Sequence, residues 1–155
     1  MKFTVGFRKV KDDDLDFLLD LRKKTMNKHL IAAGITMLNK QHLERIKEFF
    51  YDSHIILVDR KPIGVVKLGV VSLNGTEKSL HIRQLQISPK YQGKGIGSKV
   101  LNVVKKRALQ LHLPITLNVL LKNPARALYL RHGFQVISKN KLEFQLRCPL
   151  EVIAA

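Results

Sequence analysis

Apolar residues at the start of the chain fall on alternate positions, Phe3, Val5 and Phe7 against Thr4, Gly6 and Arg8, a period of two that predicts a half-buried strand. The period then lengthens. Leu15, Leu18, Leu19, Arg22, Met26 and Leu30 recur at helical spacing behind Asp12, Asp13 and Asp14, which supply an N-cap and first-turn acids, and Gly34 ends the helix. Asn39 opens a second helix through Ile46 and Phe50, with Leu38 and Leu43 at the positions of a hydrophobic staple. The apolar run 55–58, a turn at Arg60-Lys61-Pro62, and Val66, Leu68 and Val70 alternating against Lys67 and Gly69 predict two strands. Asn74-Gly75 predicts the hairpin turn that follows.

The next strand, about 78–88, changes phase. Leu80 and Ile82 are apolar at even positions and Leu85 and Ile87 at odd ones, which predicts a β-bulge near Arg83 or Gln84 that frees backbone donors. Gly93, Gly95 and Gly97 alternate around the start of an amphipathic helix at Ile96, whose stripe continues through Val100, Leu101, Val103, Val104, Ala108 and Leu111. A glycine-lined helix N-terminus suits phosphate oxygens, because its backbone N–H groups are unpaired and carry the positive end of the dipole. The spacing Gly-x-Gly-x-Gly misses both the dinucleotide fingerprint and the phosphate loop ending in Gly-Lys-Ser/Thr, so neither a nicotinamide nor an ATP follows from it.

After Pro114, Ile115, Leu117, Val119 and Leu121 alternate as a strand, and the helix before it implies a β-α-β crossover between parallel strands. Asn123-Pro124 caps a short helix that Gly133 closes. Residues 134–137 and 141–148 predict a last hairpin, turning at Lys139-Asn140, and the tail from Glu151 carries no pattern.

The 155 residues, 45% hydrophobic and 26% charged, suit one domain over 1–150 with a short tail at 151–155. No apolar run is long enough for a signal peptide or a bilayer span, so a cytoplasmic protein without membrane contact is expected. The single cysteine, Cys148, allows no internal disulfide and argues against a zinc site, and no metal is expected. Formal charge is +16: residues 1–77 hold 14 Lys+Arg against 10 Asp+Glu, and residues 78–155 hold 14 against 2. The second half therefore attracts anions, whether nucleic acid, acidic membrane or a polyphosphate cofactor.

The predicted order of strand, two helices, three strands, helix, strand, helix and two strands resembles the GNAT superfamily of acyl-CoA-dependent N-acetyltransferases. Gln92-Gly93-Lys94-Gly95-Ile96-Gly97 is similar to its Gln/Arg-x-x-Gly-x-Gly/Ala signature, and the run from Asn123 through Tyr129 to Gly133-Phe134 is similar to its Asn…Tyr…Gly-Phe helix. The close resemblance covers about 80–134, and the element order extends it over nearly the whole chain. It implies an α/β (mixed α+β) fold in one domain: a mostly antiparallel sheet of about seven strands with a splayed parallel pair at its centre, flanked by about four helices.

The resemblance implies acetyl-CoA as co-substrate, with its pyrophosphate on Gln92, Gly93, Lys94, Gly95, Ile96, Gly97 and Ser98. Its pantetheine arm would pair with Leu85, Gln86 and Ile87 and contact Asn123. A backbone N–H freed at the bulge would polarise the thioester carbonyl. Tyr129 would act as general acid toward the departing thiolate, a phenol of pKa about 10 being protonated at pH 7. Many relatives carry a carboxylate on the bulged strand, where this chain has His81, Arg83 and Gln84; His81, Glu77 and a water chain all stay open as the base.

The acceptor, a small-molecule or peptide amine, would lie against the first two helices and the last hairpin, about 22–39 and 138–141. Arg22, Lys23, Lys24 and Lys28 there read as a solvated face, the alternative being an acceptor that bears a carboxylate or phosphate. The implied chemistry is direct attack of an amine on the thioester in a ternary complex, Cys148 lacking a nucleophile motif. The other reading is a non-catalytic module that responds to acyl-CoA and offers a basic surface to nucleic acid or an acidic partner. Nucleic acid is disfavoured, since 6% aromatic residues and no tryptophan give bases little to stack on. A homodimer is compatible with either reading.

Overall fold

Alternation at the start of the chain produces β1 (Val5–Lys9), which pairs antiparallel with β2 (Ser53–Val58) in the register Val5↔Val58 to Lys9↔His54. The computed structural model that gives this pairing describes residues 3–73, 75 and 77–155. Asp12, Asp13 and Asp14 turn tightly into α1 (Leu15–Ala32). The Asp14 carboxylate closes that turn, accepting from the Lys11 N–H at 2.7 Å and from both Arg8 Nη atoms at 2.8 Å. Its pKa is lowered, chiefly by the hydrogen bond from Arg8.

The second helix, α2 (Asn39–Lys47), starts where predicted but without the staple, since Leu38 is 67% exposed. Gln41 fixes the entry instead, its Oε1 accepting the Leu38 N–H at 2.7 Å. The helix stops short of Phe50: Glu48 is already extended, with ψ of 119°, and Phe49 then turns to a φ of +51°. Leu18, Leu21 and Ile46 from these helices pack with Val10, Ile55 and Val65 into one core.

β2 passes into β3 (Lys61–Leu73) through Asp59 and Arg60, at φ +50° and +70°. Two positive-φ residues joining Val58 to Lys61 form the hairpin turn whose twist suits right-twisted strands. The turn therefore falls earlier than Arg60-Lys61-Pro62, and Pro62 pairs inside the strand with Leu57. Register slips by one between Ile56 and Leu57, so β3 takes up Ile63 as an extra residue. Asn74 of the predicted next turn lies outside the described residues; Gly75 has φ +70°.

β4 (Glu77–Ile87) pairs parallel with β5 (Ile115–Leu120) over Leu80↔Ile115 to Ile82↔Leu117. The crossover between them is α3 (Ile96–Leu111), with Val100, Leu101, Val104 and Ala108 buried and Val103, expected in the same stripe, 46% exposed. Leu80, Ile82 and Gln86 are buried, whereas Leu85 and Ile87, the apolar residues beyond Arg83, are half-buried.

A short α4 (Arg126–Arg131) leads to β6 (Gln135–Lys139) and β7 (Glu143–Cys148), an antiparallel hairpin whose β7 also pairs antiparallel with β5. The Asn140 side chain fixes the turn by accepting from the Leu142 and Glu143 N–H groups, both at 2.8 Å. The tail is structured: Pro149 starts a fifth helix, α5 (Leu150–Ile153), which buries Ile153.

The seven-stranded sheet has the order β1-β2-β3-β4-β5-β7-β6, with β4 and β5 its parallel pair. Contacts divide the chain into two compact units, Met1–Lys67 with Gln84–Ile96, and Leu68–Arg83 with Gly97–Ala155. No described helix is long and apolar enough to cross a membrane.

Candidate active site

In the first unit the end of β4 is braced on two sides. The Ser88 N–H donates to Ile63 O at 2.7 Å, and Gln92 folds back so that its Nε2 donates to Ile87 O at 2.8 Å. β3 comes close here as well: a Cβ on Gly64 would stand 2.5 Å from Gln86 O, so only glycine allows the approach. Gln86 is 6% exposed and Leu85 and Ile87 half-buried.

The turn after β4 needs glycine for a different reason. Gly93 and Gly95 have φ of +72° and +81°, while an added Cβ at either would meet nothing within 4 Å. Conformation, not crowding, selects the residue, and the backbone stays uncovered. Gln92, Gly93, Lys94 and Gly95 are exposed, whereas Ile96 is 1% exposed and pins the start of α3. An exposed, glycine-shaped turn running into the N-terminus of a helix of 16 residues fits a diphosphate.

Gly97 and Ser98 continue the helix into the second unit. Ser98 Oγ is engaged with His132 Nε2 at 2.9 Å, and His132 Nδ1 lies 3.5 Å from Lys105 Nζ. Burial, then Lys105 and Arg131, lower the His132 pKa. Asn123 caps the turn before α4, its Oδ1 accepting the Ala125 N–H at 2.9 Å, which leaves the amide nitrogen to donate elsewhere. Tyr129 is 7% exposed and packs edge-on against Phe134, with ring centroids 5.6 Å apart. Burial pushes its phenol up to about 12.

The candidate bases also lie in the second unit and differ sharply. Glu77 is held by Arg147 through a 2.6 Å ion pair. His81 is half-buried, with Nδ1 2.8 Å from Thr116 Oγ1, itself 2.8 Å from Ser79 Oγ. Burial, then Arg83, lower its pKa, so the ring is neutral at pH 7. If Nδ1–H donates to Thr116, the Nε2 lone pair is left to accept a proton. Periodicity alone gave Thr116 no role.

The expectation of a solvated basic face on α1 fails at one position. Lys24 and Lys28 are exposed, Lys24 pairing with Asp20 at 2.9 Å, and Lys23 is half-buried, but Arg22 is 6% exposed. The sequence signal was present, since Arg22 stands in the apolar stripe of its helix.

These features meet in a family. The chain belongs to the GNAT acetyltransferases: the family model described as an acetyltransferase (GNAT) domain matches residues 29–136. Among solved structures the fold is similar to PaiA N-acetyltransferase from Thermoplasma acidophilum in complex with coenzyme A, at 19% identity and TM-score 0.70, covering 94% of this chain and 99% of that one. It is similar to an acetyltransferase from Thermus thermophilus, at 17% identity and TM-score 0.73, covering 95% and 97%. It is also similar to mutant forms of the spermidine/spermine N-acetyltransferase SpeG from Vibrio cholerae, at 21% identity and TM-score 0.69, covering 97% and 96%. No curated protein matches the sequence.

Proposed function

We propose that this acetyltransferase moves the acetyl group of acetyl-CoA directly onto a primary amine in a ternary complex. The observation that carries the reading is the signature turn, whose Gly93 and Gly95 stand at positive φ and leave backbone donors uncovered at the start of α3. Acetyl-CoA supplies the activated acyl group as a thioester. Backbone N–H groups of 93–98 hold its diphosphate, Lys94 adds a positive charge, and Gln92 keeps the turn against the end of β4. Leu85, Gln86 and Ile87 offer main-chain groups to the pantetheine arm, Asn123 offers its amide nitrogen, and a backbone N–H at this end of β4 polarises the carbonyl.

His81 is the favoured base over Glu77, because the Glu77 carboxylate is engaged with Arg147 while a neutral His81 has Nε2 to accept a proton. Tyr129 works by hydrogen bonding. A phenol pushed up to about 12 is a weaker acid than a thiol at about 8.5, so full proton transfer to a thiolate is uphill, and the hydroxyl stabilises the departing sulfur by donating to it. Cys148 stays outside the chemistry, being fully buried with its pKa raised, chiefly by burial.

Free-thiol release from acetyl-CoA, followed with a panel of small amines, polyamines and peptides, tests the reading. Tyr129→Phe lowers kcat about tenfold or more while leaving acetyl-CoA affinity nearly unchanged. Unchanged turnover in that variant removes Tyr129 from the mechanism, and no thiol release with any amine removes the reaction.

A further inference from the structure

Arg22 is a buried cation that forms no ion pair with a carboxylate among the described residues. Its Nε–H donates to His42 Nδ1 at 3.1 Å, and Nη2 reaches the Met37 sulfur at 4.0 Å. An arginine N–H only donates, so His42 Nδ1 is bare and the imidazole proton sits on Nε2, which donates to Asn27 Oδ1 at 2.9 Å. His42 is 0% exposed and neutral in this arrangement, and supplies no counter-charge. The neighbouring charges have the same sign as Arg22. Burial and then Arg45 lower the Arg22 pKa to about 10, and burial, Arg22 and Lys23 lower that of His42. Asp20 is engaged with Lys24, and Glu44 on α2 and Glu48 just past it are exposed.

A buried guanidinium that feels a second positive charge is costly unless an anion offsets it. Of its five N–H groups His42 takes one, leaving the Nη fork for a bidentate partner apart from the weak sulfur contact. The location suits a substrate: Arg45 O accepts from Gln84 Nε2 at 3.4 Å, tying this end of α2 to β4 one residue before Leu85.

We propose that Arg22, assisted by Arg45, binds an oxyanion, carboxylate or phosphate, carried by the amine acceptor. The preferred acceptors are then amines that also bear a negative charge, and not polyamines, which the two arginines repel. This rests on the reading of the chain as an amine acetyltransferase.

Matched acceptor pairs test it: glycine against glycinamide for the carboxylate, and phosphoethanolamine against ethanolamine for the phosphate. In the wild type, kcat/KM for the anionic member of at least one pair exceeds that for its neutral partner by about tenfold or more. That ratio collapses toward unity in Arg22→Gln and falls in Arg45→Gln, where the side chain is exposed and folding is not at stake. The pair with the larger ratio names the oxyanion. A second readout needs no turnover: inorganic phosphate or acetate raises the Tm of the wild type in a concentration-dependent way and not that of Arg22→Gln.

Equal ratios in the wild type, or ratios indifferent to both substitutions, overturn the proposal, as does a lower Tm in Arg22→Gln with anion preference retained, which makes Arg22 a prop for His42. Thiol release without anion preference removes the anion site and leaves the transferase. An Arg22-dependent Tm shift without thiol release does the reverse.

Discussion

Replacing Lys67 by methionine removes an ammonium while keeping a side chain of similar length. Lys67 is 2% exposed, and its Nζ donates to the carbonyl oxygens of Arg45 at 3.2 Å, Ile46 at 3.1 Å and Glu48 at 2.6 Å. Arg45 and Ile46 lie in the last turn of α2 and Glu48 caps it, where the helix gives such carbonyls no partners and its dipole is negative. Orphaning a buried carbonyl costs about 1–3 kcal/mol each, against which the variant recovers several kcal/mol by no longer burying an ion, leaving a net loss of about 2–4 kcal/mol. At roughly 2–4 °C per kcal/mol for a chain of this size, Tm falls by about 5–15 °C. Calorimetry and urea titration read the loss, and amide hydrogen exchange locates it, with α2 losing more protection than β5. A loss below about 1 kcal/mol, or unchanged exchange in α2, refutes the argument that Lys67 anchors the helix end.

Gly95→Ala puts a side chain at φ +81° in open space, so it strains the turn by about 1–2 kcal/mol without a clash; calorimetric titration shows weaker coenzyme A binding, and unaltered affinity removes the turn from the cofactor site. His29, His42, His81 and His132 all have pKa values lowered in the folded chain, burial being the first cause in each. The unfolded chain therefore binds more protons below about pH 6.5, and stability present above that pH is lost as pH falls toward the folded values. Tm measured at about pH 5 lies below that at about pH 7.5, and a flat profile contradicts the burial of these rings. His81→Gln lowers kcat/KM and removes an acid limb whose midpoint lies below about 6.5 in the parent; an acid limb that survives the substitution assigns the base elsewhere.

The parts of this fold that local rules dictate were legible before any coordinates. Alternation at Val5 and Phe7 gave β1, the stripe at Val100, Leu101 and Val104 gave α3, and glycines requiring positive φ marked the turn between β4 and α3. What periodicity missed was polarity recruited by tertiary contacts. Lys67 alternates as a surface residue would, yet the open end of α2 draws it inward. Arg22 keeps its place in an apolar stripe because His42 takes one of its donors. The turn after β2 is expected one residue late, at Arg60-Lys61-Pro62, because Asp59 and Arg60 are neither glycine nor asparagine, yet both take positive φ while Asp59 is tied to Thr4, its N–H donating to Thr4 O at 3.1 Å. α5 has four residues, too few for a helical period to register. On β4 the apolar side chains of Leu85 and Ile87 are less buried than the amide of Gln86, so apolar phase and burial part company at the strand end assigned to the pantetheine arm.

The proposed reaction passes an acetyl group from acetyl-CoA to an amine without a stop on the protein. Incubating the purified chain with isotopically labelled acetyl-CoA and the amine panel, then separating protein from small molecules for mass spectrometry, tests it most directly. Direct transfer leaves label on the amine as an amide, one free coenzyme A for each label transferred, and none on the protein. Label retained on Cys148 or any other residue, or acetyl-CoA left intact with every amine, contradicts it.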